Sequence, residues 1–193
     1  MAFHELKKDN NMKVQVRQGV FETNSSSTHA ISVASFYPEE WNVSYKVPES
    51  IHFSLDREFG WEFETYEDTE SKAAYLWLII CNMYNDYKDL DDLKSIAKHI
   101  ETILINAGVK EVTFDMGSYK NSWRNDDSMY LDYTGYIDHC YDAYDFAKYL
   151  IGNDEMLLSY LLDSDSCVAT GKDNSDEEVF EDENAKWVYR KRN

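Results

Sequence analysis

Val14 and Val16 alternate with Lys13, Gln15 and Arg17 in "MKVQVRQGV", a period of two that predicts a strand with one buried face. The alternation resumes in "HAISVASF" after a polar stretch, so the two segments read as strand, loop, strand, with a hairpin as one way to join them. "NVSYKVPESIHFSL" adds two short β segments interrupted at Pro48, which has no N–H to give a central ladder. From Ala73 to Tyr84 the residues are apolar nearly all round, which predicts a deeply buried helix capped by Asp68 or Thr69. Leu90, Leu93, Ala97, Ile100 and Leu104 recur at steps of three and four, the signature of a second helix with a single core face. Asp89, Asp91 and Asp92 suit the positive end of that helix, and "NAG" at 106–108 is a stop signal.

Beyond this point "VKEVTF" predicts a strand, 115–128 a polar loop, and "MYLDY" another strand. "YDAYDFAKYLI" and "DEMLLSYLLDS" predict two short helices, followed by strands at "SCVAT" and "KWVYR". Helices are grouped instead of alternating with strands. The expected fold is therefore α+β, a small, mostly antiparallel sheet packed against a cluster of helices in a single domain. Residues 12–193 form that domain, with an acidic loop near 173–184, and residues 1–11 are expected to be a flexible N-terminal extension.

Composition narrows the function. The 193 residues are 43% hydrophobic and 15% aromatic, too apolar for a disordered chain, and enough for a sizeable core. Thirty-seven acidic residues against 19 basic give a formal charge of -18. Such a field repels phosphate backbones, which argues against direct nucleic-acid binding and favours partners with basic surfaces. Cys81, Cys140 and Cys167 are odd in number and form no CxxC pair, so neither a zinc knuckle nor a disulfide framework is expected. Neither a signal-peptide core nor a membrane-length apolar run is found, "AAYLWLII" being the longest, and the expected location is cytoplasmic. No cofactor or metal is expected, and the pattern specifies no oligomeric state.

Three constellations could carry chemistry. In "VFETNSSSTHAIS", Asn24, Ser25, Ser26, Ser27 and Thr28 offer hydroxyls, an amide and backbone N–H groups suited to an anion. His29 could shuttle a proton beside them, and Arg17 could face the same ligand if the two strands pair. The same residues are also ordinary turn formers, and neither a Gly-x-x-x-x-Gly-Lys nor a Gly-x-Gly-x-x-Gly loop occurs. Asp138 and His139 in "GYIDHCYD" form the second group, weakened because sequence neighbours on a strand point to opposite faces. "TGKDNSDEE" lacks the ligand spacing of a calcium loop.

The third constellation is compositional. From Asp115 to Asp145 seven acids stand against Lys120 and Arg124, with six interleaved tyrosines. Asp56 to Glu70 holds seven acids against Arg57. Carboxylates spaced by flat phenols can imitate phosphates and bases in the groove of a nucleic-acid-binding protein. The candidate contacts are Asp126, Asp127, Tyr130, Asp132, Tyr133, Tyr136 and Asp142.

"MKVQVRQGVFETNSSSTHAIS" resembles the N-terminus of a poorly characterised family of phage and bacterial proteins that open with a short strand, an Arg-x-Gly step and a Phe-Glu-Thr-Asn-Ser-Ser-Ser-x-His run. Shorter likenesses continue at "FGWE", "YIDH" and "TGKDN". The resemblance implies a phage context, with Met12 as the ancestral start, and no mechanism. Two functions of different class are therefore expected. One is a phage-type accessory protein that binds and inhibits a host factor, such as a nucleic-acid-guided defence nuclease, through its acidic surface. The other is a small enzyme or an anion- or nucleotide-binding protein whose pocket joins the Ser-rich loop, His29, Arg17 and Asp138-His139. The binder is preferred because no complete catalytic set can be assembled from the sequence.

Overall fold

A computed structural model describes residues 27–34, 47–60, 64–122, 128–138, 143–172 and 187–192. The centre of the molecule is α1, Thr69–Met83, whose residues from Ser71 to Cys81 are all buried. Its apolar side chains surround the helix, so it has no solvent face and must be enclosed on every side. Asp68 starts it by accepting the Ser71 N–H at 2.8 Å. Partial burial pushes the Asp68 carboxyl up, but its bonds from Ser71 and the Arg57 charge outweigh that and hold it below its usual value.

Around α1 lie β2 (Ser50–Phe53), α3 (Tyr144–Ile151) and α4 (Asp154–Leu162), with α2 (Leu90–Asn106) outside β5 (Glu111–Phe114). Leu93, Ala97, Ile100 and Leu104 of α2 are buried, as the three- and four-residue spacing predicts. The helix stops where Gly108 adopts φ 103°, a left-handed conformation that glycine takes without strain. Val109 N–H then donates back to the Leu104 carbonyl at 3.1 Å.

The main sheet is antiparallel, in the order β10-β1-β9-β4, from β1 (Ser27–Ala34), β4 (Glu64–Tyr66), β9 (Cys167–Lys172) and β10 (Trp187–Arg192). Ile31, Val33 and Val168 join it to the helical core. Two parallel pairs are smaller: β2 beside β5, and β3 (Glu58–Phe59) beside β8 (Tyr136–Ile137). Gly135 precedes β8 where the chain passes against the 55–57 backbone. A Cβ there would lie 2.5 Å from the Arg57 carbonyl oxygen, so only glycine fits. A hairpin of β6 (Ser118–Asn121) and β7 (Met129–Asp132) completes the fold, which is α+β.

Several expectations shift. Residues 118–121, read as polar loop, form β6, because Tyr119 turns inward opposite buried Leu131 while its neighbours stay wet. β3 and β4 arise in an acidic, aromatic stretch that carries no clear period. Ser27 and Thr28 belong to β1 and not to the preceding turn. The strand expected at 12–20, the β segment before Pro48, the extension at 1–11 and the acidic loop at 173–184 lie outside the described residues.

Candidate interaction surface

The polar-pocket candidates are divided by the fold. Arg17, Asn24, Ser25, Ser26 and His139 lie outside the described residues. Ser27, Thr28 and His29 occupy β1, in register with Lys172, Gly171 and Thr170 of β9. Asp138 is half-buried just past β8, its N–H donating to the Phe59 carbonyl at 3.0 Å. His29 thus lies on the four-stranded sheet and Asp138 beside the β3–β8 pair, and among the described residues no strand pairing joins the two. Among the described residues no group of three His, Cys, Asp or Glu side chains could hold a metal.

Two histidine–carboxylate pairs that the sequence reading missed are formed among the described residues: His99 Nε2 lies 3.4 Å from Asp154 Oδ1 on the surface, and His52 meets Asp115. His52 Nδ1 lies 2.8 Å from Thr113 Oγ1, and its Nε2 lies 3.5 Å from Asp115 Oδ2. The cue was the parallel register of β2 and β5, which a single sequence does not display. The Nδ1 contact to a hydroxyl and the Nε2 contact to a carboxylate both hold the ring in place. Asp115 is also structural: its carboxylate accepts the Leu55 N–H at 3.2 Å, and its carbonyl accepts Trp77 Nε1–H at 2.7 Å. Cys81 and Cys167 are buried free thiols. Burial, with Asp115 nearby, pushes the Cys81 thiol well up, away from reactive thiolate.

Lys72 is buried and charged. Its ammonium donates to the carbonyls of Asp163 at 2.6 Å and Ser166 at 3.0 Å, tying the first turns of α1 to the end of α4. Burial lowers its pKa to about 8, against the pull of Asp163, Cys167, Asp68 and Glu67. Tyr160 Oη–H donates to the Lys72 carbonyl at 3.0 Å, which completes a closed polar knot. With 1% of its surface exposed, Lys72 is out of reach of a substrate.

The acidic, tyrosine-bearing candidates assemble better. The turn at 85–89 lies against the outer edge of β7, where Leu131 N–H donates to the Asn85 carbonyl at 2.7 Å and Asp86 bridges Tyr130. Tyr87 sets its ring edge-on to Tyr119 at 5.2 Å. Tyr87 and Tyr130 are 52% and 39% exposed, so both present phenol faces to solvent. Around them stand Asp86, Asp89 and Asp132, with the exposed Asp91 and Asp92 at the start of α2. The two lysines of the patch are both occupied: Lys88 lies 3.0 Å from Asp86, and Lys120 lies 2.6 Å from Asp132. A hydrogen bond and the partner charge raise each lysine above its usual value.

Tyr87 was missed by the sequence reading because it lies outside the 115–145 window; "NDYKDLDD" was the available signal. Tyr133 is half-buried and receives Asn82 Nδ2–H at 3.4 Å, which makes it part of the scaffold. Tyr136 is exposed on β8, in the β3–β8 pair instead of the hairpin. Asp126, Asp127 and Asp142 lie outside the described residues. No helix among the described residues is long and apolar enough to cross a membrane. Comparison with family models, curated proteins and solved structures returns no match.

Proposed function

We propose that this chain is an acidic binding protein, a phage-type accessory factor that occupies and inhibits a basic, nucleic-acid-binding protein of its host, with a defence nuclease as the candidate target. The observation that carries the reading is the solvent-facing pair Tyr87 and Tyr130, set among Asp86, Asp89 and Asp132 where the 85–89 turn meets the hairpin. Phenol rings supply planar contact area at low entropic cost, and carboxylates supply charge where a groove expects phosphate. Arginine fits both, since its guanidinium stacks on rings and pairs bidentately with carboxylates. The charge of -18 steers such a partner in from a distance and raises the association rate.

No chemistry is required of the protein in this role. It acts by displacement, and its affinity falls as salt rises, because exposed charges separated by more than about 8–10 Å are screened at physiological ionic strength. Capture from bacterial lysate on immobilised protein tests this. The expected result is enrichment of nucleic-acid-binding proteins that are released by salt and by competing duplex DNA. Capture indifferent to both would contradict the reading.

A further inference from the structure

Hydrogen-bond parity along the hairpin leaves one strand edge unpaired among the described residues. Ser122 N–H donates to the Ser128 carbonyl at 2.7 Å, so that pair bonds inward. Antiparallel pairs alternate between bonded and non-bonded. The register Asn121↔Met129, Lys120↔Tyr130, Tyr119↔Leu131 therefore turns the amides and carbonyls of Tyr119 and Asn121 away from β7. The same parity turns Leu131 N–H outward on the other side, where it finds the Asn85 carbonyl. One edge of the hairpin is thus closed by the chain itself. The other, along β6, pairs with no strand among the described residues.

Folded proteins usually blunt such edges with proline, a bulge or an outstretched lysine. β6 has no proline, and its register with β7 runs without a shift. Its one lysine, Lys120, is held across the hairpin by Asp132. We propose that the outer edge of β6 is a docking strand, to which an extended, arginine-bearing segment of the partner adds by main-chain pairing. The proposal rests on the acidic-binder reading and gives it a geometry. Ser118, Lys120, Tyr130 and Asp132 share one face by register. An arginine on the added strand reaches over β6 to the Tyr130 ring and the Asp132 carboxylate, one strand spacing of roughly 4.8 Å farther on. Main-chain bonds supply affinity, and side chains on alternate positions supply the preference for a basic segment. A second copy of this chain is disfavoured as the occupant, because two bodies of charge -18 repel.

The test uses the whole protein, ¹⁵N-labelled, with two synthetic probes: an alternating Arg-Thr peptide and its Glu-Thr counterpart. The basic peptide is expected to bind and to slow amide exchange at Tyr119 and Asn121, while the acidic peptide leaves the spectrum unchanged. Asn121→Pro, which deletes one outward N–H, is expected to weaken binding about tenfold with the remaining spectrum preserved. Protection mapped on the unaltered protein stands even if that variant fails to fold. Protection at other amides, or unweakened binding by a folded Asn121→Pro, would overturn the edge while leaving an acidic binding surface intact. No binding of the basic peptide would overturn both. Concentration-dependent protection of β6 without peptide would make a second copy the occupant and overturn the proposal.

Discussion

The two acid-rich segments, 56–70 and 115–145, look alike in composition and differ in what stands beside their acids. In the first, carboxylates serve nearby groups of the same segment and its neighbours. Asp68 caps α1, Asp56 accepts from Ser54, Glu64 accepts from Tyr66, and Glu70 lies 3.6 Å from Arg57. In the second, the hairpin is a platform: Tyr119 and Leu131 turn inward, while Tyr130, Lys120 and Asp132 turn outward in register. The hairpin side gains Tyr87 and Asp89 from a turn far away in sequence. Counting acids therefore finds charge but not its use. Asp132 and Asp86 also hold cations of their own chain, Lys120 and Lys88, so the difference lies in the exposed phenol rings of Tyr130 and Tyr87 that stand beside them.

Removing buried apolar volume from the core sets the scale of effects. Leu104 is fully buried on α2, and Leu104→Ala is expected to cost about 2–5 kcal/mol in denaturant unfolding. A loss of only a few tenths would place that helix face on the surface.

Next in size is Lys72, which lies behind the first segment. Its pKa is about 8 in the fold, against an ordinary value of 10.5. Between those values the unfolded chain holds a proton that the folded chain has released, so unfolding takes up a proton. Stability should rise as pH climbs from about 8 towards 10.5, by roughly 3 kcal/mol at the conversion of ~1.4 kcal/mol per pH unit. Below about 8 both states are protonated and the full cost of the buried charge is present. Tyr160 and Cys81, raised by burial, act with the opposite sign above their ordinary values, so the contribution is read as wild type minus Lys72→Met. A flat difference between pH 8 and 10 would show that Lys72 is solvated.

Asp68→Ala should cost about 0.5–2 kcal/mol of stability and leave binding of a basic peptide unchanged, as befits an acid spent on a cap. The smallest expected effect is Tyr119→Phe. The Tyr119 hydroxyl is buried without a hydrogen-bond partner, so its loss should move stability by under about 0.5 kcal/mol, or raise it slightly.

Much of this architecture is legible in the chain. The buried α1, the single core face of α2, the helix pair at 144–162 and the strand at 167–172 follow from periodicity that packing rewards. The Asp68 cap and the Gly108 stop are local chemistry, and local chemistry is what a sequence displays. β3, β4 and β6 were not legible as strands. They are two to four residues long, too short to establish a period, and they exist through pairing, β3 and β4 with strands far along the chain and β6 with β7. The surface was half legible for the same reason. Tyr130 and Asp132 lie within the window that composition marked, whereas Tyr87 reaches them only through the Asp86–Tyr130 bridge.

The central claim is that the place of the acids matters, and not only their number. Two double reversals separate these: Asp89→Lys with Asp132→Lys on the hairpin side, and Glu58→Lys with Glu67→Lys on exposed positions of the first segment. Each changes the net charge equally. Association of the alternating Arg-Thr peptide is measured for both by stopped-flow at low salt, with folding checked by circular dichroism. The account predicts that the hairpin pair slows association and weakens binding by about tenfold or more, while the first-segment pair produces only the small change expected of a shift in overall field. Equal losses in the two variants would contradict it.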